Sequence, residues 1–124
     1  MEKDHNYLLL LTTCPNMEVA RALAQHLLEN HLVACVNMLP HIHSMYLWQD
    51  QIMNDAEALL LFKTRREHYA TIEQILSQKH PYDVPELIAI PIVTGLPRYL
   101  AWIDSVVMGK NQESHPKIGL HHEN

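Results

Sequence analysis

The run Leu32-Val33-Ala34-Cys35-Val36-Asn37-Met38-Leu39-Pro40-His41-Ile42-His43-Ser44-Met45-Tyr46-Leu47-Trp48 carries the most structural information in this chain. Leu32 to Leu39 reads as a strand. Pro40 interrupts it, and Ile42 to Trp48 resumes a strand-like pattern. Together the two halves exceed the usual strand length of ~3–10 residues. Proline cannot donate to a ladder, so Pro40 marks a bulge, a bend or an edge. Beyond it the strand carries Ile42, Met45, Tyr46, Leu47 and Trp48. A four-stranded sheet cannot cover a strand that overhangs it, and exposed apolar surface of this kind marks an interface. Its free N–H and C=O groups also invite pairing with another copy. The expectation is association between chains; the alternative is a long hairpin folded back on its own chain.

Before this run, Tyr7 to Leu11 is a continuous apolar stretch suited to a central strand. Asn16 is placed to cap a helix from Met17 to about Asn30, with Val19, Ala20, Leu23, Ala24, Leu27 and Leu28 on one face. After the run, Gln49-Asp50-Gln51 reads as a turn and Ala56 to Lys63 as a third strand. Thr64 and Glu67 have the spacing of a capping box that opens a second helix, with Tyr69, Ile72, Ile75 and Leu76 facing inward and Pro81 ending it. Leu87 to Ile92 reads as the fourth strand. Pro97 and Gly109 bracket a short third helix. The order β-α-β-β-α-β plus a helix predicts an α/β (α+β) chain of the ferredoxin-like, split βαβ kind, with right-handed crossovers and helices on an antiparallel sheet. One domain spans residues 1–124, with a folded core over about residues 6–109 and a mobile tail over 110–124.

At 124 residues the chain buries enough surface to fold without a metal or a disulfide. A formal charge of −5 excludes the basic face that non-specific nucleic-acid binding needs. No stretch reaches the ~20 apolar residues of a membrane helix. Two cysteines, Cys14 and Cys35, do not make a secreted disulfide framework. A cytoplasmic location, with no membrane and no nucleic-acid partner, is therefore expected. No motif for nucleophile activation or cofactor binding is present, so a binding protein without an organic cofactor is expected rather than an enzyme.

Several stretches together resemble the CutA family, the divalent-cation tolerance proteins. They are Thr12-Thr13-Cys14-Pro15-Asn16, Ala34-Cys35-Val36-Asn37, Ser44-Met45-Tyr46-Leu47-Trp48, Lys63-Thr64, His80-Pro81-Tyr82-Asp83-Val84-Pro85-Glu86 and Tyr99-Leu100-Ala101-Trp102. They span about Tyr7 to Val107. The resemblance implies a homotrimer built by strand pairing between subunits and a link to copper and other divalent metal ions. The shape is similar to that of nitrogen-regulatory (PII-like) signalling trimers, which implies as an alternative a sensor of a small organic ligand at the subunit interface. In a bacterial member the copper ligands fall where this chain has Thr12, Lys79 and His80, so only His80 keeps its ligand type. The chain also departs at Pro40-His41-Ile42-His43, where the family usually has glycine at the first histidine.

Two candidate sites follow. Cys14 and His80 join thiol and imidazole, a pairing that suits copper or zinc, with Glu86 or a neighbouring subunit as third ligand. Lys63, Tyr82, Glu86, Tyr46 and Trp48, with His80, are expected to line a polar and aromatic pocket for a small anionic or zwitterionic ligand. His41 and His43 would share a strand face and offer two nitrogens to a metal. Cys35 reads as a small core residue. His115, His121 and His122, near the C-terminus, have no assigned role.

Overall fold

The computed structural model describes residues 5–108. It holds the expected order: β1 (Tyr7–Cys14), α1 (Met17–Glu29), β2 (Cys35–Trp48), β3 (Gln51–Arg65), a 3₁₀ turn (Arg66–His68), α2 (Tyr69–Lys79), β4 (Ile88–Pro91) and α3 (Pro97–Val107). The strands form one antiparallel sheet in the order β2-β3-β1-β4, the ferredoxin-like arrangement. Gly109, the expected mobile tail and its histidines lie outside the described residues.

Side chains alternate across a strand. Leu8 and Leu10 of β1 and Leu60 and Phe62 of β3 therefore share one face, where they pack in the same buried cluster as Leu23 and Leu27 of α1 and Ile72 and Leu76 of α2. The opposite face takes α3, whose Ile103 and Val107 bury against Ala34 with Tyr7 beside them. Arg65 anchors this third helix through Asp104 at 2.7 Å, and the Tyr7 hydroxyl donates to the same carboxylate at 2.8 Å.

Asn16 caps α1 as expected, accepting from the Val19 N–H at 2.9 Å. The end of α1 is a Schellman motif: the Leu32 N–H reaches the Leu27 carbonyl and the His31 N–H that of Leu28. His31 holds the left-handed position, at φ 57°, that glycine usually takes. The capping box is a correction. Thr64 is still in β3, where its hydroxyl donates to the Leu32 carbonyl at 2.6 Å, and Glu67 pairs with Arg65 at 2.9 Å. With both side chains engaged elsewhere, α2 starts after the 3₁₀ turn without a side-chain cap.

The hairpin is the larger surprise. β3 begins at Gln51 rather than Ala56, and it pairs with β2 from Cys35↔Lys63 out to Trp48↔Gln51. Gln49 and Asp50 both have positive φ, 50° and 65°, as a two-residue hairpin turn with right-handed strand twist requires. The inner ladder edge of the overhang is thus satisfied by its own chain. β1 leaves β3 at Cys14↔Ala58, so Ile42–Trp48 and Gln51–Glu57 form a two-stranded arm projecting beyond the sheet. Pro40 sits at a bulge, where Pro40 and His41 together oppose Ala58.

His41 adopts φ 61° in that bulge. A side chain with a Cβ is penalised there and glycine is not. His41→Gly is expected to stabilise the fold by up to about 1 kcal/mol, after the extra entropy of glycine in the unfolded chain is subtracted. The check is the urea midpoint at fixed protein concentration, with an unchanged slope; a lower midpoint contradicts the assignment.

Candidate functional site beside the hairpin arm

The loop that follows α2 is fastened to the end of β1 by one imidazole. His80 is buried, and its Nε2 lies 2.8 Å from the Thr13 carbonyl oxygen. A carbonyl only accepts, so Nε2 carries the proton. Nδ1 then accepts the Tyr82 N–H at 3.1 Å. The Tyr82 ring packs on the His80 ring at 4.7 Å, and its hydroxyl donates to Glu57 Oε2 at 2.6 Å. Thr12 adds a second tie, donating to the Glu86 carbonyl at 2.6 Å.

Between this loop and the arm lies an open cleft of about 890 Å³. The arm contributes Ser44, Tyr46, Trp48, Met53, Asp55 and Glu57, which share one face by strand alternation. The loop contributes Tyr82, Asp83, Val84 and Glu86. Tyr46 donates to Asp55 at 2.5 Å, which raises the phenol pKa above its ordinary value. The Tyr82 phenol is raised further, first by burial and then by its bond to Glu57. Both phenols therefore remain neutral donors at physiological pH.

The structure places Tyr46, Trp48, Tyr82 and Glu86 in the lining of one cleft. It does not bring Lys63 to them. Lys63 is six residues from Glu57 along β3, about 20 Å at about 3.3 Å per residue. Its ammonium is held by Asn37, with the Cys35 sulfur 3.8 Å away. Among the described residues the cleft lining includes four carboxylates and neither lysine nor arginine, so Lys63 is not the cation there that was expected to attract an anion. Sequence reasoning missed Asp55, Glu57 and Asp83. The alternation Met53-x-Asp55-x-Glu57 was the signal for the first two, once β3 is known to begin at Gln51. His43 also lines the cleft, and His41 is not among its lining residues.

Cys14 and His80 do meet, with Sγ 3.8 Å from Nε2. Both are committed to the protein interior. The ring nitrogens are engaged, and burial, with Glu57 adding to it, pushes the Cys14 thiol up to about 11. Among the described residues no three His, Cys, Asp or Glu side chains gather as a metal site. The native thiol keeps its proton where the unfolded chain releases it, so stability should fall as pH rises from about 9 towards about 11. Urea melts across this interval should show that loss, and Cys14→Ala should lack it. Native Cys14 should also resist alkylation at neutral pH; fast labelling contradicts the burial.

Residues 8–106 match the family model described as CutA1 divalent ion tolerance protein. The divalent-cation tolerance protein CutA of Thermus thermophilus is 43% identical over 94 residues, 76% of this chain and 91% of that protein. The CutA homolog of Xenopus laevis is 42% identical over 95 residues, 77% of this chain but 63% of its own length. Against several longer relatives, then, the chain spans less than two-thirds. The structure of the periplasmic divalent cation tolerance protein CutA from Archaeoglobus fulgidus superposes with a TM-score of 0.79 at 38% identity, covering 82% of this chain and 98% of that one. With sequence and fold in agreement, the chain belongs to the CutA1 divalent ion tolerance family.

Proposed function

We propose that this protein is a homotrimer that takes part in the response to divalent metal ions and draws a cation into the acidic cleft between the hairpin arm and the His80–Glu86 loop. The observation that carries the reading is the cleft lining: among the described residues it has Asp55, Glu57, Asp83 and Glu86 and neither lysine nor arginine, an acidic field that draws cations although no three of these side chains gather at one point within a single chain. Carboxylate oxygens suit hard divalent ions, and His43 beside them adds an imidazole for zinc or copper. A metal at Cys14 and His80 would instead have to break the Thr13 or Tyr82 hydrogen bond or deprotonate a thiol held at about 11. The PII-like alternative, an organic ligand between subunits, keeps its aromatic walls but loses Lys63 as counter-charge.

Association is supported by the arm. Its face away from the cleft exposes Leu47 and Ile52, at 72% and 70% of their surfaces. A two-stranded ribbon is marginal in water unless something packs on it. The need for a partner comes from this surface, and the number three comes from the family resemblance. Cytoplasmic residence belongs to the same proposal; it rests on the two free cysteines and not on the relatives, one of which is named for the periplasm.

Sedimentation at micromolar concentration should find three chains together, and Leu47→Asp with Ile52→Asp should release single chains. Folded monomers of the parent protein contradict the assembly. Calorimetric titration with copper, zinc and manganese salts should show at least tenfold weaker binding in Glu57→Gln and Asp55→Asn, with Cys14→Ser unchanged. Equal affinity in parent and carboxylate variants removes the cleft as the site.

A further inference from the structure

Cys35 and Lys63 face each other across the β2–β3 ladder as register partners. The backbone holds them there, since the Ala34 N–H also bonds the Lys63 carbonyl at 2.8 Å. Lys63 Nζ lies 3.8 Å from Cys35 Sγ, and Asn37, two residues along the same strand face, accepts a hydrogen bond from the ammonium. Unlike Cys14, Cys35 is only half-buried. A thiol fixed against an amine is more than the small core residue that the sequence implies.

We propose that Cys35 and Lys63 form an oxidation-sensitive pair, in which hydrogen peroxide oxidises the thiol and the lysine amine captures the product as a sulfur–nitrogen cross-link between β2 and β3. In the first step the sulfur attacks one peroxide oxygen and the O–O bond breaks: Cys–SH and HOOH give Cys–SOH and water. The sulfur loses two electrons and the peroxide gains them. In the second step the amine nitrogen attacks the sulfenic sulfur and the S–O bond breaks. Cys–SOH and Lys–NH₃⁺ give Cys–S–NH–Lys, water and a proton released to solvent. A sulfenic acid condenses with a nearby nitrogen in this way and is thereby kept from irreversible oxidation. An external thiol reverses the cross-link by attack at sulfur. The pair is independent of the cation cleft, about 20 Å away along β3 at about 3.3 Å per residue.

The test is mass spectrometry of the full chain after hydrogen peroxide, with peptide mapping. The parent should lose the mass of one H₂, its Cys35 and Lys63 peptides should appear joined, and dithiothreitol should restore it. Cys14→Ser should behave identically, which separates the cross-link from a disulfide of equal mass. Lys63→Arg, or Lys63→Gln if the first misfolds by circular dichroism, should lose the joined peptide and accumulate sulfinic acid at Cys35. A parent protein whose Cys35 stays unmodified, takes up oxygen as the Lys63 variants do, or ends as a disulfide between chains overturns the pair.

Discussion

The ladder between β2 and β3 is the constraint on which the rest of this molecule depends. It runs from Cys35↔Lys63 to Trp48↔Gln51, far past the point where β1 stops at Cys14. Because side chains alternate, its register places Ser44, Tyr46 and Trp48 on one face with Met53, Asp55 and Glu57, and leaves Leu47 and Ile52 on the other. A slip by one residue would exchange the two sets. Within the arm the register is pinned at both ends, by the Pro40–His41 bulge at its base and by the two-residue turn at Gln49–Asp50 at its tip. Backbone geometry thus separates an acidic, aromatic face from an apolar one on a ribbon two strands wide.

His80 supplies the complementary wall. Its ring spans the gap between the Thr13 carbonyl and the Tyr82 N–H, so one neutral tautomer satisfies both. Removing either partner would leave a buried polar group unpaired, which costs about 1–3 kcal/mol. The histidine that sequence reasoning offers to a metal is, in the fold, the pin that holds Tyr82 over Glu57.

Much of the fold was legible in the residues because local signals agreed with tertiary need. The face of α1, the Asn16 cap, Pro97 at the start of α3 and the element order all follow from periodicity and turn chemistry. The failures have physical causes. Gln51 to Glu57 showed no apolar alternation, because an arm with two open faces has no core to face. The Schellman end of α1 was hidden because His31, not glycine, holds its left-handed position. Thr64 was given to a cap it never makes, since β3 keeps it two residues longer than its pattern implied. Lys63 belonged to the expected pocket only while the length of β3 was unknown.

The treatment of carboxylates on the two sides of the molecule differs in a telling way. Where they serve the architecture, as Asp104 and Glu67 do, they share the guanidinium of Arg65, which offsets one of their two charges. In the cleft, Asp55 and Glu57 meet phenols instead. A phenol that holds its proton orders a carboxylate without neutralising it. Each such carboxylate still attracts a unit positive charge at about 4 Å by about 4 kcal/mol at an effective dielectric constant of about 20. Among the described residues the cleft lining sets four carboxylates against neither lysine nor arginine, so a divalent cation entering it meets an uncompensated negative field. The hydrogen bonds from Tyr46 and Tyr82 therefore hold the cleft in shape while leaving its charge available to a ligand.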